Sequence, residues 1–419
     1  MKKKVLALSL AAAMAFSLAA CGNGGTSAGG DTVANKDKPV VWYNRQPSNS
    51  TTGELNTEAL NFNEDTYYVG FDANQGAELQ GQMILDYIKA NIANIDKNND
   101  GIIGYVLAIG DVGHNDSIAR TRGVRSALGT AVTKEDGTID SEAVGTNTDG
   151  SSTHVQDGKL EIDGKTYVVR ELASQEMKSN AGSTWDAPTA GNAITTWASS
   201  FGDQIDIVAS NNDGMGMSMF NAWSNKEKVP TFGYDANSDA VKAIANGYGG
   251  TISQHADVQA YLTLRVIRNA LDNVDMDTGI GTEDAAGNVL SEDVYKYDEA
   301  TRSYYALNVA VTKDNYEDFL ESTVIWEPVS KQLDKETSPE KKVWLSVYNS
   351  NDTFLGGTYQ PLLEKYDDLL NLNVEYVQGD GQSEGSVSDR LTNPSAYDAF
   401  AINMVKTDNA VTYTTKLSQ

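Results

Sequence analysis

Short apolar runs alternate with longer amphipathic stretches from Pro39 to the end of the chain. Runs of four to eight apolar residues between polar stretches are typical of strands buried in a parallel sheet. The runs in the first part of the chain are 40–43, 67–71, 102–109, 167–170, 205–210 and 230–233. The stretch 78–91 predicts a helix, because its apolar residues fall on one face at helical spacing. This alternation predicts an α/β fold with mostly parallel sheets.

Three polar stretches rich in Gly, Asp, Ser and Thr interrupt the alternation. We expect 132–165 and 273–303 to be surface insertions. The third, 324–340, predicts a linker, because it shows no apolar period and contains Pro339. After it the pattern restarts with predicted strands at 343–348, 373–377 and 397–405 and a helix from about residue 354.

The composition narrows the class of protein. The 419 residues include 32 basic and 58 acidic side chains, which gives a net charge of −26, and 40% of residues are apolar. A duplex nucleic-acid binder needs a basic face, so this charge argues against nucleic acid as a partner. The apolar content is sufficient for a packed core and indicates a soluble globular protein.

The amino terminus predicts export and attachment to a membrane. Three lysines at 2–4 precede an apolar run that ends at Ala20, which is typical of a signal peptide over 1–20. The following Cys21, in Leu-Ala-Ala-Cys-Gly, resembles the lipobox of bacterial lipoproteins. We therefore expect lipidation of Cys21, a flexible leash over 21–38, and a location on the extracytoplasmic face of the cell membrane. The alternative is an ordinary signal peptide with a chance cysteine.

Polar side chains follow several predicted strands, at the sheet edge where open α/β sheets bind ligands. Carboxylates accept hydrogen bonds, Arg and His donate them, and Asn does both, so the set suits a polyhydroxylated neutral ligand. Trp185 and Phe354 supply aromatic faces on which a sugar ring packs. Taken singly, each Asn or Asp could instead cap the helix that follows it. The clusters are 44–47, 113–116 with Arg120, 211–213, 232–235 and 348–354.

The sequence offers no motif for catalysis. It has no phosphate-binding glycine loop after a strand, no Gly-x-Ser-x-Gly elbow, and no evident nucleophile and base pair. Neighbouring carboxylates at this acidic composition are typical of a solvated face, so a glycosidase is only a remote alternative. We expect a binding protein and not an enzyme.

Four segments together resemble one family in order and spacing: Thr66-Tyr-Tyr-Val-Gly70, Gly113-His-x-Asp-x-x-x-Arg120, Ser210-Asn-Asn-Asp-Gly-Met-Gly-Met217 and Val229-Pro-Thr-Phe-Gly-Tyr-Asp235. The family is that of the periplasmic galactose/glucose-binding proteins, which capture substrate for sugar importers. The resemblance implies a two-lobed periplasmic-binding-protein fold of type I. It also implies a monosaccharide ligand, D-glucose or D-galactose, delivered by a monomer to an ABC permease. A sensor for a membrane receptor is an alternative without transport.

The order of segments differs from the family's. The usual opening segment is found at 342–419, after the usual closing segment at 306–321, so the chain resembles a circular permutant. Permutation is tolerated where the joined ends are close. One lobe would then comprise 39–71, 256–305 and 341–419, and the other 72–255 and 306–323. The linker at 324–340 would join the ancestral termini.

The resemblance assigns the sugar-binding residues one by one. Phe354 and Trp185 would sandwich the sugar, and Asp352 matches the residue that accepts from the 4-hydroxyl in either epimer. Gln254 stands where the family has Asn, so a pocket for xylose, arabinose or ribose remains an alternative. The full set is Asn44, His114, Asp116, Arg120, Trp185, Asn212, Asp235, Gln254, Asp352 and Phe354.

A calcium loop is predicted at 96–102. Asp96, Asn98 and Asp100 stand at loop positions one, three and five, with Gly101 at six. The resemblance adds the Ile102 carbonyl and, at a distance along the chain, the carboxylate of Asp206. We therefore expect structural calcium as the one cofactor.

Overall fold

The computed structural model describes residues 35–49, 54–140, 145, 154–224, 229–280, 295–320, 335–381 and 383–419. The predicted signal peptide, Cys21, most of the leash and most of the linker lie outside the described residues. No helix in the described part is long and apolar enough to cross a membrane.

The strands of the described chain are β1 (Val40–Tyr43), β2 (Thr66–Phe71), β3 (Ile102–Ile109), β4 (Gly158–Ile162), β5 (Lys165–Glu176), β6 (Ile207–Ser210), β7 (Thr231–Phe232), β8 (Thr251–Ser253), β9 (Tyr295–Asp298), β10 (Ser303–Ala306), β11 (Val309–Val311), β12 (Lys341–Val347), β13 (Leu372–Gln378) and β14 (Ala399–Ile402).

The α-helices are α1 (Thr57–Leu60), α2 (Ala73–Ile95), α3 (Asn115–Ala127), α4 (Ala187–Phe201), α5 (Asp213–Ala222), α6 (Ser238–Ile244), α7 (Ala256–Asp272), α8 (Gln360–Leu369), α9 (Gly385–Ser388) and α10 (Ala410–Leu417). A π-helical turn at Leu355–Tyr359 leads directly into α8. Short 3₁₀ turns occur at Asn35–Asp37, Gly202–Gln204, Tyr316–Phe319, Pro394–Ala396 and Thr407–Asn409.

Two separate sheets form the framework. The first has seven strands in the order β13-β12-β14-β1-β2-β10-β9, parallel except for the edge strand β9. The second has five strands in the order β4-β5-β3-β6-β7, parallel except for the edge strand β4. A short antiparallel pair, β8 with β11, completes the described strands. The predicted α/β class with mostly parallel sheets is confirmed.

Each sheet is covered on both faces, which explains the continuous apolar runs. All four residues of β1 are buried. Val41 and Tyr43 pack in a cluster with residues of α7 and α8, whereas Val40 and Trp42 pack in another cluster with residues of α10. Because successive side chains of a strand point to opposite faces, strands covered on both faces are nearly continuous apolar runs.

The predicted elements occur in the structure, with bounds that differ at the ends. The helix predicted over 78–91 is α2, which begins five residues earlier. Asp72 sets that start, since its carboxylate accepts hydrogen bonds from the backbone amides of Asn74 and Gln75. The strand predicted at 167–170 is the middle of the longer β5.

Two polar stretches are more than surface insertions. The stretch 132–165 contributes β4, and the stretch 273–303 contributes β9 and the start of β10, which is the sixth strand of the first sheet. Tyrosines stabilise this edge, with the rings of Tyr297 and Tyr304 at 4.5 Å between centroids. The surrounding Asp, Gly and Ser residues concealed this local strand pattern.

The first sheet has a notable strand order. In the second sheet, the parallel strands β5-β3-β6-β7 have the order 2-1-3-4 when they are numbered from the amino terminus. The first sheet gives the matching doubly wound order 2-1-3-4-5 only when β12, β13 and β14 are counted before β1 and β2.

Candidate functional site

Ten side chains singled out from the sequence line one small cavity of 40 Å³, called here the inner cavity. It lies where the carboxyl ends of strands from both sheets meet. Asn44 follows β1, and Asp352 and Phe354 follow β12 of the first sheet. The second sheet and β8 contribute the other seven residues, His114, Asp116, Arg120, Trp185, Asn212, Asp235 and Gln254.

Arg120 is the buried cation of the cavity. Its guanidinium lies 3.6 Å from a carboxylate oxygen of Asp116 and 3.6 Å from one of Asp235, and its Nη1 donates to the Asn211 carbonyl at 2.8 Å. The ring of Tyr234 lies beneath it, with its centroid 3.6 Å from the guanidinium carbon. Its Nε has no hydrogen-bond partner among the described residues. One guanidinium thus lies between two carboxylates and keeps a donor for a ligand.

His114 is neutral and has a defined tautomer. Its Nδ1 accepts a hydrogen bond from the backbone amide of Asp116 at 3.1 Å, which leaves the proton on Nε2. Burial, with the charges of Arg45 and Arg120, lowers its pKa well below the usual range. The Nε2 atom is buried and has no hydrogen-bond partner in the part of the chain that the structure describes. This side chain therefore offers one N–H donor to the cavity.

Trp185 covers the cavity from a strained backbone. Its φ angle is 59°, in the left-handed region, and it immediately precedes Asp186, which caps α4. Its ring stands edge-on to His114 at 5.6 Å between centroids. A Cβ on Gly110 would lie 2.4 Å from the indole Cε3, so only glycine fits beneath the ring.

Asp235 and Gln254 form a buried pair. The amide Nε2 of Gln254 donates to Oδ1 of Asp235 at 2.8 Å, and the side chains of both are almost fully buried. Burial raises the pKa of Asp235 well above its ordinary value, opposed by Arg120. Gln259 in turn donates to the Gln254 carbonyl at 2.7 Å and so anchors this segment.

Asp352 is held by the turn that follows β12. Its Oδ1 accepts from the backbone amides of Phe354 and Leu355 at 2.9 and 2.8 Å. Burial raises its pKa, and these amides oppose the rise. Phe354 packs edge-on against Tyr359 at 5.8 Å. The π-helical turn thus fixes a carboxylate and an aromatic ring side by side.

Several of these residues cap a helix and also line the inner cavity. Asn212 Oδ1 accepts from the Met215 amide at 2.9 Å at the start of α5, and His114 caps α3. The capping alternative raised from sequence is therefore realised, and the same residues also line the cavity. Capping fixes their side chains before a ligand arrives.

Arg45, Tyr348 and Leu355 also line the inner cavity and were not among the residues predicted from the sequence. The Arg45 guanidinium lies 3.9 Å from the centroid of the Tyr348 ring and donates to the Val405 carbonyl. Asn44 has a φ of 61° and its carbonyl accepts from the Tyr68 hydroxyl at 3.0 Å. Arg45 and Tyr348 belong to the polar clusters 44–47 and 348–354. Their stacking could not be predicted from the sequence, because it requires two distant segments to meet.

Two hydrogen bonds close the cleft beside the cavity. Asn115 Nδ2 donates to Ser48 Oγ at 2.6 Å, and Asn237 Nδ2 donates to Thr353 Oγ1 at 3.3 Å. Each bond joins a residue near the first sheet to one near the second. These two bonds link the two halves beside the inner cavity.

The side chains of the predicted calcium ligands are bonded to protein partners. Asp96 accepts from Lys165 Nζ at 3.2 Å, and Asn98 donates to Asp100 at 3.0 Å. Asp206 accepts from the Gly104 amide at 2.8 Å, and burial, with repulsion from Asp100 and Asp96, raises its pKa to about 7. The oxygen-rich set is of the kind calcium prefers. Across the described residues, no three His, Cys, Asp or Glu side chains converge as a metal site.

A periplasmic binding protein domain model matches residues 31–274, more than half of the chain, and a second model of the same description matches 340–410. A D-galactose/methyl-galactoside binding periplasmic protein from Haemophilus influenzae is 28% identical over 69% of this chain and 70% of its own. A xylitol-binding protein from Mycolicibacterium smegmatis is 25% identical over 77% of this chain and 89% of its own. These relatives are named as binding proteins and not as enzymes, which agrees with the prediction of a binding protein.

The chain is also similar to solved structures of solute-binding proteins. A solute-binding protein from Bacillus halodurans with bound myo-inositol is 18% identical over 68% of this chain and 69% of its own, with a TM-score of 0.39. One from Actinobacillus succinogenes with bound D-allose is 16% identical over 60% of this chain and 64% of its own, with a TM-score of 0.37.

Proposed function

The chain belongs to the periplasmic binding protein domain family, and from this premise we propose that it captures a monosaccharide between two lobes and delivers it to an ABC importer. The observation that carries the proposal is the set of side chains around the inner cavity, whose 40 Å³ is smaller than a sugar ring, so binding requires these side chains to move apart. Ten polar and aromatic side chains from distant segments converge there with complementary donors and acceptors.

The chemistry of the cavity suits a sugar. Each hydroxyl donates once and accepts, so a site for several hydroxyls needs both carboxylates and N–H donors. The carboxylates of Asp116, Asp235 and Asp352 supply acceptors. Arg120 Nε and His114 Nε2 are buried donors that no described residue engages. A neutral polyol satisfies all of these groups without bringing a charge into the cleft.

We propose D-glucose or D-galactose as the ligand. Support comes from the relative that binds D-galactose and from Asp352, which is anchored with one oxygen and can accept from a 4-hydroxyl of either epimer with the other. Gln254 favours a second candidate, another sugar such as xylose, arabinose or ribose. Its side-chain amide donates to Asp235, which occupies one carboxylate oxygen that could otherwise accept from a hydroxyl of the sugar ring.

The proposal includes a location and an attachment. Proteins of this family act outside the cytoplasmic membrane. Lipidation at Cys21 would keep a monomeric capture protein close to its permease. Metabolic labelling with a fatty-acid probe tests this, since Cys21→Ser should abolish the label and release the protein. A label that persists in the variant would refute the anchor.

We also propose that the chain is a circular permutant with a linker over 324–340. The 2-1-3-4-5 order of the first sheet, when β12–β14 are counted first, supports it. The described end of the linker contacts helix α7, which packs on the first sheet. Arg265 of α7 lies 3.5 Å from Glu336, and Arg268 donates to the Pro339 carbonyl at 2.9 Å. Cleavage within 324–334 should therefore leave affinity nearly unchanged, and a large loss with the fold intact would refute it.

Calcium binding at Asp96, Asn98, Asp100, Ile102 and Asp206 is a further part of the proposal. Asp96 and Asp100 repel Asp206, so a divalent cation would relieve this repulsion, with Lys165 displaced from Asp96. Binding to the folded state alone raises its stability. Melting temperatures with calcium and with a chelator test this, and equal values would refute the site.

The proposed function is tested by calorimetric titration of the purified full chain with D-glucose, D-galactose, D-xylose, L-arabinose and D-ribose. Saturable binding of one of these, lost in Asp352→Ala and Trp185→Ala, is the expected result. Absence of binding by a folded protein would overturn the proposal.

A further inference from the structure

A second, larger cavity adjoins the inner one. This outer cavity has a volume of 480 Å³, within the range of pockets that enclose small ligands. Asn44, Arg45, His114 and Asp116 line both cavities and form the boundary between them. A ligand in the inner cavity would therefore lie beside residues that also line the larger outer cavity.

The outer cavity is lined by both aromatic and polar side chains. Tyr68 and Tyr305 line it with their rings 5.6 Å apart, together with Leu55 and Phe71. Aromatic faces pack against the C–H groups of a pyranose. Gln46 donates to the Tyr305 hydroxyl at 2.7 Å, which holds that ring in place. Polar groups surround this platform at Ser48, Asn74, Asn115 and Arg122.

The boundary also has the chemistry for a linkage. A glycosidic oxygen accepts hydrogen bonds and cannot donate. His114 presents Nε2–H, a donor, because its Nδ1 is already engaged by the Asp116 amide. Replacing a ligand hydroxyl by an ether oxygen beside His114 therefore loses no hydrogen bond there. Asp116, which only accepts, would take a neighbouring hydroxyl.

The closing contacts do not separate the two spaces. Asn115 and Ser48, which bond to each other across the cleft, both line the outer cavity. Closure therefore leaves the outer cavity in place beside the inner one.

We propose that the site takes a glycoside, with one sugar ring in the inner cavity joined through its exocyclic oxygen to a second ring in the outer cavity. This inference rests on the proposed function. It assigns the outer cavity as a second subsite for disaccharides.

The test is titration of the full chain with D-glucose and D-galactose and with maltose, cellobiose, melibiose and lactose, which cover α and β linkages. At least one disaccharide should bind within about tenfold of its monosaccharide. If a monosaccharide binds while every disaccharide is weaker by more than about a hundredfold, the inference fails and the proposed function stands. If a folded protein binds none of them, both fail.

A pair of variants on one helix tests the location. Asn74 is exposed on the first turn of α2 and lines the outer cavity, whereas Glu78, one turn later, is exposed and does not line it. Asn74→Trp should weaken disaccharide binding by more than about tenfold and change monosaccharide binding by less than about twofold, since it places bulk only in the outer cavity. Glu78→Trp should change neither. Undiminished disaccharide binding by Asn74→Trp would place the second ring elsewhere and overturn the inference.

Discussion

The side-chain amide of Gln254 donates a hydrogen bond of 2.8 Å to the carboxylate of Asp235 in the wall of the inner cavity. Arg120 lies 3.6 Å from the same carboxylate oxygen. A buried carboxylate with a raised pKa thus depends on one amide and one guanidinium to remain an ordered acceptor. Gln254 is therefore a positioning residue for Asp235 as well as a cavity residue.

Gln254→Ala should weaken sugar binding by about 10- to 100-fold, because a hydrogen bond to a charged group contributes about 1.5–3 kcal/mol. Gln254→Asn should recover part of the loss, since a shorter amide still donates. Calorimetric titration measures both. Gln175→Ala, at an exposed amide outside this cavity, is the matched control. An unchanged affinity in Gln254→Ala would show that Asp235 does not need this partner.

Gly110→Ala should reduce sugar affinity about as much as Trp185→Ala. A Cβ at position 110 would lie 2.4 Å from the Trp185 ring, so the ring must move from its place over the cavity. Titration with circular dichroism as a check of folding measures the effect. Gly357→Ala is the control, because no atom lies within 4 Å of a Cβ added there. Full affinity in Gly110→Ala would mean that the indole position does not matter for binding.

Thr353→Val should speed the release of the sugar. It removes the hydroxyl that accepts from Asn237 at 3.3 Å across the cleft and keeps the side-chain shape. Loss of one neutral hydrogen bond from the closed state predicts about a 2- to 10-fold higher off-rate and little change in the on-rate. Stopped-flow kinetics measure both rates. The control is Thr196→Val, on the exposed face of α4. A change confined to the on-rate would contradict this role in closure.

Asp257→Asn should flatten the pH dependence of stability. Burial raises the pKa of Asp257 from 3.8 to about 7, opposed by backbone amides and by Lys365. The folded state therefore retains a proton that the unfolded chain releases, so this contribution is complete below about pH 4 and is lost as pH rises through about 7. This change in the pKa of Asp257 corresponds to at most about 4 kcal/mol in the free energy of unfolding.

Melting curves between pH 4 and pH 8 measure that dependence. Asp257→Asn should gain stability relative to the unchanged protein as the pH rises, while Asp239→Asn, at an exposed carboxylate in the first turn of α6, should run parallel to it. Parallel curves for both variants would show that Asp257 does not carry the effect.

The sequence was most informative where local rules govern structure. The apolar runs predicted strands such as β1 and β3, and polar residues directly after strands predicted the set that lines the inner cavity, because parallel strands end at a common edge. The resemblance sharpened the choice among these polar residues. The bounds of the elements depended on caps such as Asp72, which the periodicity does not encode.

The parts that were missed depend on contacts between distant segments. Arg45 stacks on Tyr348, and these residues are 303 positions apart in the chain. Strand β9 pairs with β10, which pairs in parallel with β2, and β9 lies in the stretch 273–303, whose polar composition predicted only an insertion. The outer cavity likewise joins Tyr305 to residues near 44 and 115, a proximity that only the folded sheets create.

The most direct test of the account is a crystal structure of the protein grown with D-glucose or D-galactose at saturating concentration. We predict one sugar ring between Trp185 and Phe354, with hydrogen bonds to Asp352 on one side and to Asp116, Arg120 and Asp235 on the other. A sugar bound elsewhere, or one that contacts residues of only one sheet, would contradict the account.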